Sequence, residues 1–410
     1  MTGTGGTGGT GGTGGTGGLG GLGGRNGQVS GPRASSRLEL EERWARAAWA
    51  FLTEPRDQKV TDLLDECGAV EALVRLRQGR FRSRDGWDVR LPELDLDGMA
   101  RAARHHRVRI VVPGDPEWPA GLNRLHQRPY CLFVRGAVDL GALVERSVAI
   151  VGSRAATDYG LRVAADLADG LATRGWTVVS GAAYGIDSAA HRAALAADAP
   201  TVAVLACGVD RAYPAAHRGL LEQIAAGPGA VVSEVPVGCA PYRSRFLARN
   251  RIIATLARAT VVVEANLRSG SLTTAKAARE HFLPVGAVPG PVTSMASAGC
   301  HDLVRNTDAV LVTDAAEVAE LAARIGEDLL PDRAGSATAV PGDGLDAESY
   351  RVWSAVPMRG GTTVERLASS SGVEPRRLVG ILAVLEADGL VTKAAGRWRK
   401  TRLPTTEVST

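Results

Sequence analysis

Cysteine, aromatic residues, long apolar runs and nucleotide-binding signatures are all scarce in this 410-residue chain. Each shortage removes a class of protein. The five cysteines, Cys67, Cys131, Cys207, Cys239 and Cys300, are scattered, with no CxxC pair and no histidines at ligand spacing. That argues against a disulfide framework and against a zinc site, and it fits a reducing compartment. No apolar run approaches the roughly 20 residues that a membrane-spanning helix needs. The first residues are Thr-Gly repeats rather than the charged and apolar regions of a signal peptide. The chain therefore reads as cytoplasmic, with no membrane partner. No glycine turn is followed by Lys-Ser or Lys-Thr, which excludes a P-loop, and the first strand-to-helix turn lacks the G-x-G-x-x-G spacing of a dinucleotide site. Neither a cofactor nor a metal is expected.

What remains is a chain with enough apolar residues, 45%, for a sizeable core, and with a net charge of only +4. A nucleic-acid surface would have to come from local clustering rather than bulk charge. Aromatics make up 4%, so an aromatic placed among arginines carries more weight than usual. Residues 1–36 are a Gly/Thr-rich tail that cannot bury a core and is expected to be disordered. Residues 37–110 read as helical: Ala47, Ala48, Phe51 and Leu52 share one helical face, and Leu63, Leu64, Val70, Leu73 and Val74 predict further short helices. Over 111–328, β-branched runs at 148–151, 176–180, 202–205, 231–232, 261–263, 285–288 and 310–312 alternate with helical patterns such as 159–172 and 315–325. Buried runs alternating with helices predict βαβ units and a parallel sheet covered on both faces. A Gly/Ala/Pro-rich linker occupies 329–345. Residues 346–402 hold three helical patterns, then 389–392, a turn at Ala395-Gly396, and Arg397-Trp398-Arg399-Lys400. Residues 403–410 form a short tail. The fold class is α/β: an extended Rossmann-like parallel sheet with an N-terminal helical domain and a C-terminal winged helix. Arg376, Arg377 and the basic wing suit nucleic-acid contact; a protein-contact module with a solvated basic edge fits them equally.

In an open α/β sheet, ligands bind beyond the carboxyl ends of the strands, where turns and helix N-termini expose backbone N–H groups. Four glycine turns stand there: Gly152-Ser153-Arg154, the stretch 180–187 that opens on Ser180-Gly181, Cys207-Gly208-Val209-Asp210, and Ser269-Gly270-Ser271. One such turn is weak support; four in series, one carrying an arginine, predict an anion pocket. Between the third and fourth, Arg243, Arg245, Arg249 and Arg251 surround Phe246. Arginine for phosphate with an aromatic for base stacking is the pattern of single-strand binding, with stacking worth roughly 1–3 kcal/mol per base. Taken alone, the segment also fits a helix with Phe246, Ile252 and Ile253 in the core. Catalysis has little support. Ser153, Ser180, Ser269 and Ser271 have no His or Lys base set beside them, and His191 with Asp187 reads as a helix-cap and packing pair. Glu264, at a strand end, can act as a general base or accept backbone N–H bonds from the Ser269-Gly270-Ser271 turn; the second role is the expected one.

At these residues the chain resembles the DNA-processing protein A family (DprA, also called Smf). The signatures run in order: VAIVGSR at 148–154, SGAAYGIDSAAH at 180–191, CGVDRAYP at 207–214, SEVP at 233–236, FLARNRIIA at 246–254, VVVEA at 261–265, SGSLTTA at 269–275 and VPGPV at 288–292. The helical region, of the SAM or helix-hairpin-helix kind, and the terminal winged helix are similar to those of the longer members. The resemblance implies a non-enzymatic, sequence-independent single-stranded-DNA-binding protein. Such a protein protects incoming DNA and helps load the RecA recombinase during natural transformation, as a homodimer. It implies Arg154 and Arg243 as phosphate contacts, Phe246 as the stacking residue, and Asn250 and Arg251 as pocket formers. Gly152, Ser153, Ser180, Gly181, Gly208, Ser269, Gly270 and Ser271 complete the expected DNA-binding set, with Glu264 and Asp187 in support. The alternative is a phosphoribohydrolase-like enzyme on a related fold. That family carries P-G-G-x-G-T and then a catalytic glutamate, where this chain has Leu272-Thr273-Thr274. A third reading is a protein-binding adaptor acting through the winged helix.

Overall fold

The computed structural model describes residues 32–81, 86–324, 327, 344–358 and 360–401, with 32–40 described as backbone alone. The Gly/Thr-rich stretch up to residue 31, most of the expected linker and the final tail lie outside the described residues. The first helix begins at Pro32, inside the stretch read as tail; proline is well suited to a first helical turn, where its missing N–H costs nothing.

Nine strands form one sheet: β1 (Val108–Val111), β2 (Leu132–Arg135), β3 (Ser147–Val151), β4 (Thr177–Ser180), β5 (Thr201–Leu205), β6 (Ala230–Ser233), β7 (Ala259–Val262), β8 (Val285–Ala287) and β9 (Val310–Leu311). Their spatial order is β1-β2-β6-β5-β4-β3-β7-β8-β9. From β6 to β9 every pairing is parallel, whereas β2 joins β6, and β1 joins β2, antiparallel. The parallel part follows from the sequence pattern, since β3 to β7 are buried along their whole length and unbroken β-branched runs suit strands covered on both faces. The antiparallel pair β1–β2 extends the sheet beyond the alternating pattern, and β1 begins inside the stretch, 37–110, that reads as helical.

The helices before the parallel strands are α1 (Pro32–Leu52), α2 (Gln58–Cys67), α3 (Ala69–Arg77), α4 (Leu96–His105) and α5 (Leu140–Glu145). Those interleaved with the strands are α6 (Asp158–Ala172), α7 (Ile186–Ala196), α8 (Arg218–Ala226), α9 (Arg243–Leu256), α10 (Ser271–Glu280), α11 (Ala298–Asn306) and α12 (Ala315–Ala322). Strand side chains alternate between faces, and the core divides accordingly. Val148 and Ile150 pack with α6, α7 and α12 on one face. Ala149 and Val151 pack with Ile252 and Ile253 of α9 and Ala275 of α10 on the other, each fully buried isoleucine contributing about 1.5–3 kcal/mol. Helices α1 to α4 cover the β2-β6-β5 end together with α8, through Trp49, Leu73, Phe133, Leu205 and Leu221.

The chain winds outward from β3 to β6 and then returns to lay β7 on the other side of β3. The switch point between β3 and β7 opens a crevice beyond their carboxyl ends. Helix α6 starts there with a side-chain cap, Thr157 accepting from the Gly160 N–H, whereas α9 and α10 start without one. The first N–H groups of α10 instead turn back on the residues before them: Ser271 to Ser269 Oγ at 3.4 Å, Leu272 to the Ser269 carbonyl at 3.3 Å and Thr273 to the Gly270 carbonyl at 3.1 Å.

The C-terminal unit holds α13 (Ala347–Ala355), α14 (Val364–Ser371), α15 (Pro375–Ala387), β10 (Val391–Ala394) and β11 (Arg397–Lys400). Its own core is Val352, Leu367, Leu378, Leu382, Leu385, Val391 and Trp398. The hairpin turns at Ala395 and Gly396, both with positive φ, the conformation that a two-residue turn needs to match the strand twist.

Candidate nucleic-acid interface

A cleft of about 820 Å³ lies at the switch point. Three segments build it: the turn after β3 (Gly152, Ser153, Arg154), the start of α9 (Arg243, Phe246, Asn250), and the passage from β7 into α10 (Asn266, Arg268, Ser269, Gly270, Ser271, Thr273). Ala183, Asp187 and Tyr213 close its remaining side. The Gly152 turn is tight for a steric reason: a Cβ there would stand 2.5 Å from Ile186 Cγ1 and 3.0 Å from the Glu264 carbonyl oxygen. The Ser153 N–H donates to that carbonyl at 2.7 Å, which ties the turn after β3 to the end of β7.

On the opposite wall, Asn250 Nδ2 donates to Thr273 Oγ1 at 2.6 Å and to the Gly270 carbonyl at 3.3 Å, fixing the first turn of α10 against α9. Ser269 Oγ and Ser271 Oγ bond each other at 2.7 Å across the same turn. The Glu264 carboxylate does not hold this turn, contrary to expectation. It is buried and accepts from Thr157 N–H at 2.9 Å and Thr157 Oγ1 at 2.5 Å. Glu264 leaves β7 facing α6, so it sets the loop between Arg154 and α6 instead.

The cations divide by burial. Arg154, Arg243 and Arg268 are exposed at the cleft and enter no ion pair among the described residues. Arg245 instead meets Glu54 through two 2.8 Å bonds and gives a third, of 2.8 Å, to the Ala240 carbonyl. Arg251 meets Glu234 at 2.5 Å, with both side chains buried, and does not line the cleft. Arg249 forms part of the cleft floor, donating to the Gly181 and Val204 carbonyls at 2.8 and 2.7 Å; burial pulls its pKa down to about 10. The Arg154 guanidinium lies 5.3 Å from the Phe246 ring centroid, and the Tyr213 ring is 5.3 Å from the same ring at a tilt of 54°. Phe246 thus offers a flat surface flanked by a cation and a second aromatic.

Three other expected members are not at the cleft surface. Ser180 is fully buried and donates to the Ile150 carbonyl at 2.6 Å. Gly181 lies under the Arg249 guanidinium, and Gly208 packs beneath the Pro236 carbonyl, where a Cβ would come within 2.6 Å. All three support the cleft from below. Asp187 does line it; its carboxylate accepts from the Ala183 N–H at 3.3 Å. Burial raises its pKa, against the lowering influence of Arg249 and the backbone bonds. His191 is not its partner. The imidazole is buried, bonds Thr201 Oγ1 at 2.7 Å through Nδ1, and is pushed down to about 3 by burial. It stays neutral near pH 7. Among the described residues, the cleft lining contains no histidine, cysteine or lysine, and Asp187 is its sole carboxylate. Sequence reasoning left Tyr213 and Arg268 unassigned, and read Arg249 as one of the phosphate-facing arginines rather than as the floor. The signal available for Tyr213 was an aromatic in an aromatic-poor chain, a few residues past a glycine turn.

Comparison with known proteins bears on the family and the fold. The pattern of the family described as "DNA recombination-mediator protein A" matches residues 109–323, which run from β1 to the end of α12. A putative DNA processing protein DprA from Mycobacterium tuberculosis is 44% identical over 374 residues, covering 86% of this chain and 93% of that one. Protein Smf from Escherichia coli is 42% identical over 217 residues, covering 53% of this chain and 56% of that one. The X-ray structure of DNA processing protein A from Streptococcus pneumoniae superposes with a TM-score of 0.58 at 31% identity, covering 68% of this chain and 97% of that chain.

Proposed function

The chain belongs to the DNA recombination-mediator protein A family, and from that premise we propose that it is a sequence-independent binder of single-stranded DNA. The observation that carries the reading is the Phe246 ring, set beside Tyr213 at the mouth of a cleft with three arginines that enter no ion pair among the described residues. Stacking on an aromatic ring is open to every base but only when the base is unpaired. Arg154, Arg243 and Arg268 contribute the salt-dependent part of the binding, and Phe246 the salt-independent part.

The protein acts in this reading by holding DNA, not by catalysis. The Glu264 carboxylate is engaged by Thr157 and buried, and a lone Asp187 gives no acid–base pair for a phosphoribohydrolase reaction. The same reading makes it a protector of incoming DNA that helps load the RecA recombinase during natural transformation, in the cytoplasm. No described helix is long and apolar enough to cross a membrane. A homodimer fits the edge strand β9, where Val310 and Leu311 leave about half their surface exposed. The C-terminal unit we read as a winged helix, with α14 and α15 as its helix pair and β10–β11 as a wing carrying exposed Lys393, Arg397 and Arg399.

Fluorescence anisotropy with single-stranded and duplex DNA over a salt series tests the function. Affinity for the single strand should fall with salt at a slope of about −0.7 per phosphate contacted. Equal or tighter duplex binding, or release of free base from a nucleoside monophosphate, would sink it.

A further inference from the structure

The aromatic surface does not stop where the cleft does. Tyr213 is 44% exposed and closes the cleft beside Phe246. Outside its lining, Tyr184 is 50% exposed on the turn that follows β4, next to cleft-lining Ala183. Its ring packs edge-on against His217 at 4.9 Å. His217 lies four residues beyond Tyr213, in the turn that leads into α8. The His217 ring is itself fixed, buried with Nδ1 2.9 Å from the Ala182 carbonyl oxygen, so Tyr184 rests on a rigid backing. Neither tyrosine hydroxyl has a hydrogen-bond partner among the described residues, and both rings keep surface open to a base. Cations accompany them. Arg211 and Arg218 are exposed on the same connection and enter no ion pair among the described residues, while the nearby Asp210 carboxylate is occupied by the Gly238 N–H at 2.9 Å.

These groups sit on the turns beyond β4 and β5, which are neighbours in the sheet and lie on the side of β3 away from β7. Neighbouring strands stand about 4.8 Å apart, so the turns after β3, β4 and β5 span roughly 10 Å, the length of about three stacked nucleotides at ~3.4 Å each. We propose that this surface is a second subsite, where a single strand leaving the cleft past Phe246 stacks a further base on Tyr184 and lays its phosphates against Arg211 and Arg218. The inference rests on the single-strand reading above and extends it: it assigns a direction to the strand, across the sheet edge from β7 toward β5, and a footprint larger than the cleft.

The test uses the full-length protein with oligothymidylates of about 6 and about 20 nucleotides, lengths that bracket the roughly 4–16 nucleotides of a single-strand module. Tyr184→Ala is expected to weaken binding of the longer strand by at least about fivefold, the equivalent of about 1 kcal/mol and the lower end of base stacking. The shorter strand should bind as before, and Tyr184→Phe, which keeps the ring, should match the unaltered protein on both. An equal loss on both lengths, no loss on either, or a Tyr184→Phe variant as weak as Tyr184→Ala overturns the second subsite. If the unaltered protein binds neither strand, the single-strand reading itself fails. If it binds both and Tyr184→Ala is indifferent, only the second subsite fails.

Discussion

Removing one cation and removing the ring should leave different signatures, and the cleft geometry fixes what they are. Arg154 and Arg243 each stand at the cleft surface in no ion pair among the described residues, so each truncation to alanine deletes one phosphate contact and about 0.7 from the salt slope. With Arg154, Arg243 and Arg268 all engaged, the slope is about −2, and affinity falls roughly 20-fold between about 50 and about 200 mM salt. One arginine fewer reduces that fall to roughly sevenfold. Phe246→Ala instead costs about 1–3 kcal/mol of stacking, a loss of about 5- to 150-fold at every salt concentration, with the slope preserved. The two effects are not fully independent, because the Arg154 guanidinium lies 5.3 Å from the Phe246 ring. A cation–π contact of this kind is worth about 0.5–1 kcal/mol, so the double variant should lose less than the sum of the singles by about that amount. Anisotropy titrations at four or more salt concentrations measure all of this. A Phe246→Ala variant that flattens the slope as much as Arg154→Ala does would refute the division of labour.

Two further outcomes follow from packing and protonation. Gly152→Ala places a Cβ against Ile186 and the Glu264 carbonyl and should destabilise the fold by about 1–3 kcal/mol; Gly270→Ala meets nothing within 4 Å and should keep the parent's denaturant midpoint. His191, held neutral with a pKa of about 3 by burial, binds no proton in the fold at pH 5, whereas the unfolded chain does so below about 6.5. Its folded pKa is depressed, so stability is lost as pH falls from about 6.5 toward 3, about 2 kcal/mol of it by pH 5. His191→Gln should flatten that acid limb in chemical denaturation; an acid limb parallel to the parent's would contradict it.

The parallel sheet was legible because β3 to β8 are apolar runs set apart by helix-length segments, and nothing else packs such runs. Strands β1 and β2 were not, since Val108–Val111 and Leu132–Arg135 are four residues each, bordered by Pro, Gly and charge. The Gly152-Ser153-Arg154 turn, Phe246, Asn250 and the Ser269-Gly270-Ser271 turn were legible as ligand-side positions, and the structure brings them to one cleft. Arginine burial was not legible. A charge is costly to bury unless it is paired, so four arginines within nine residues read as an exposed face. The partners that reverse this are remote or ambiguous: Glu54 is 191 residues from Arg245, and Arg249 uses backbone carbonyls in place of a carboxylate. Glu264 failed for a related reason. Sequence proximity pointed to the turn at Ser269, whereas the carboxylate faces Thr157, 107 residues earlier.

The buried arginines explain why α9 can present a ligand surface at all. A helix with Arg243 and Phe246 free in its first turn, and no side-chain cap, would fray in isolation. Here Arg245, between those two residues, reaches the other way into Glu54, which Arg90 also grips at 2.8 Å. Farther along, Arg249 is bonded into the ends of β4 and β5, and Arg251 is paired with Glu234 beyond β6. The ligand-facing side chains are thus mounted on a helix pinned on its remaining sides, so little backbone freedom is left to lose when a strand binds. Because Glu54 and Arg90 belong to the N-terminal helical region, that region and the cleft form one mechanical unit.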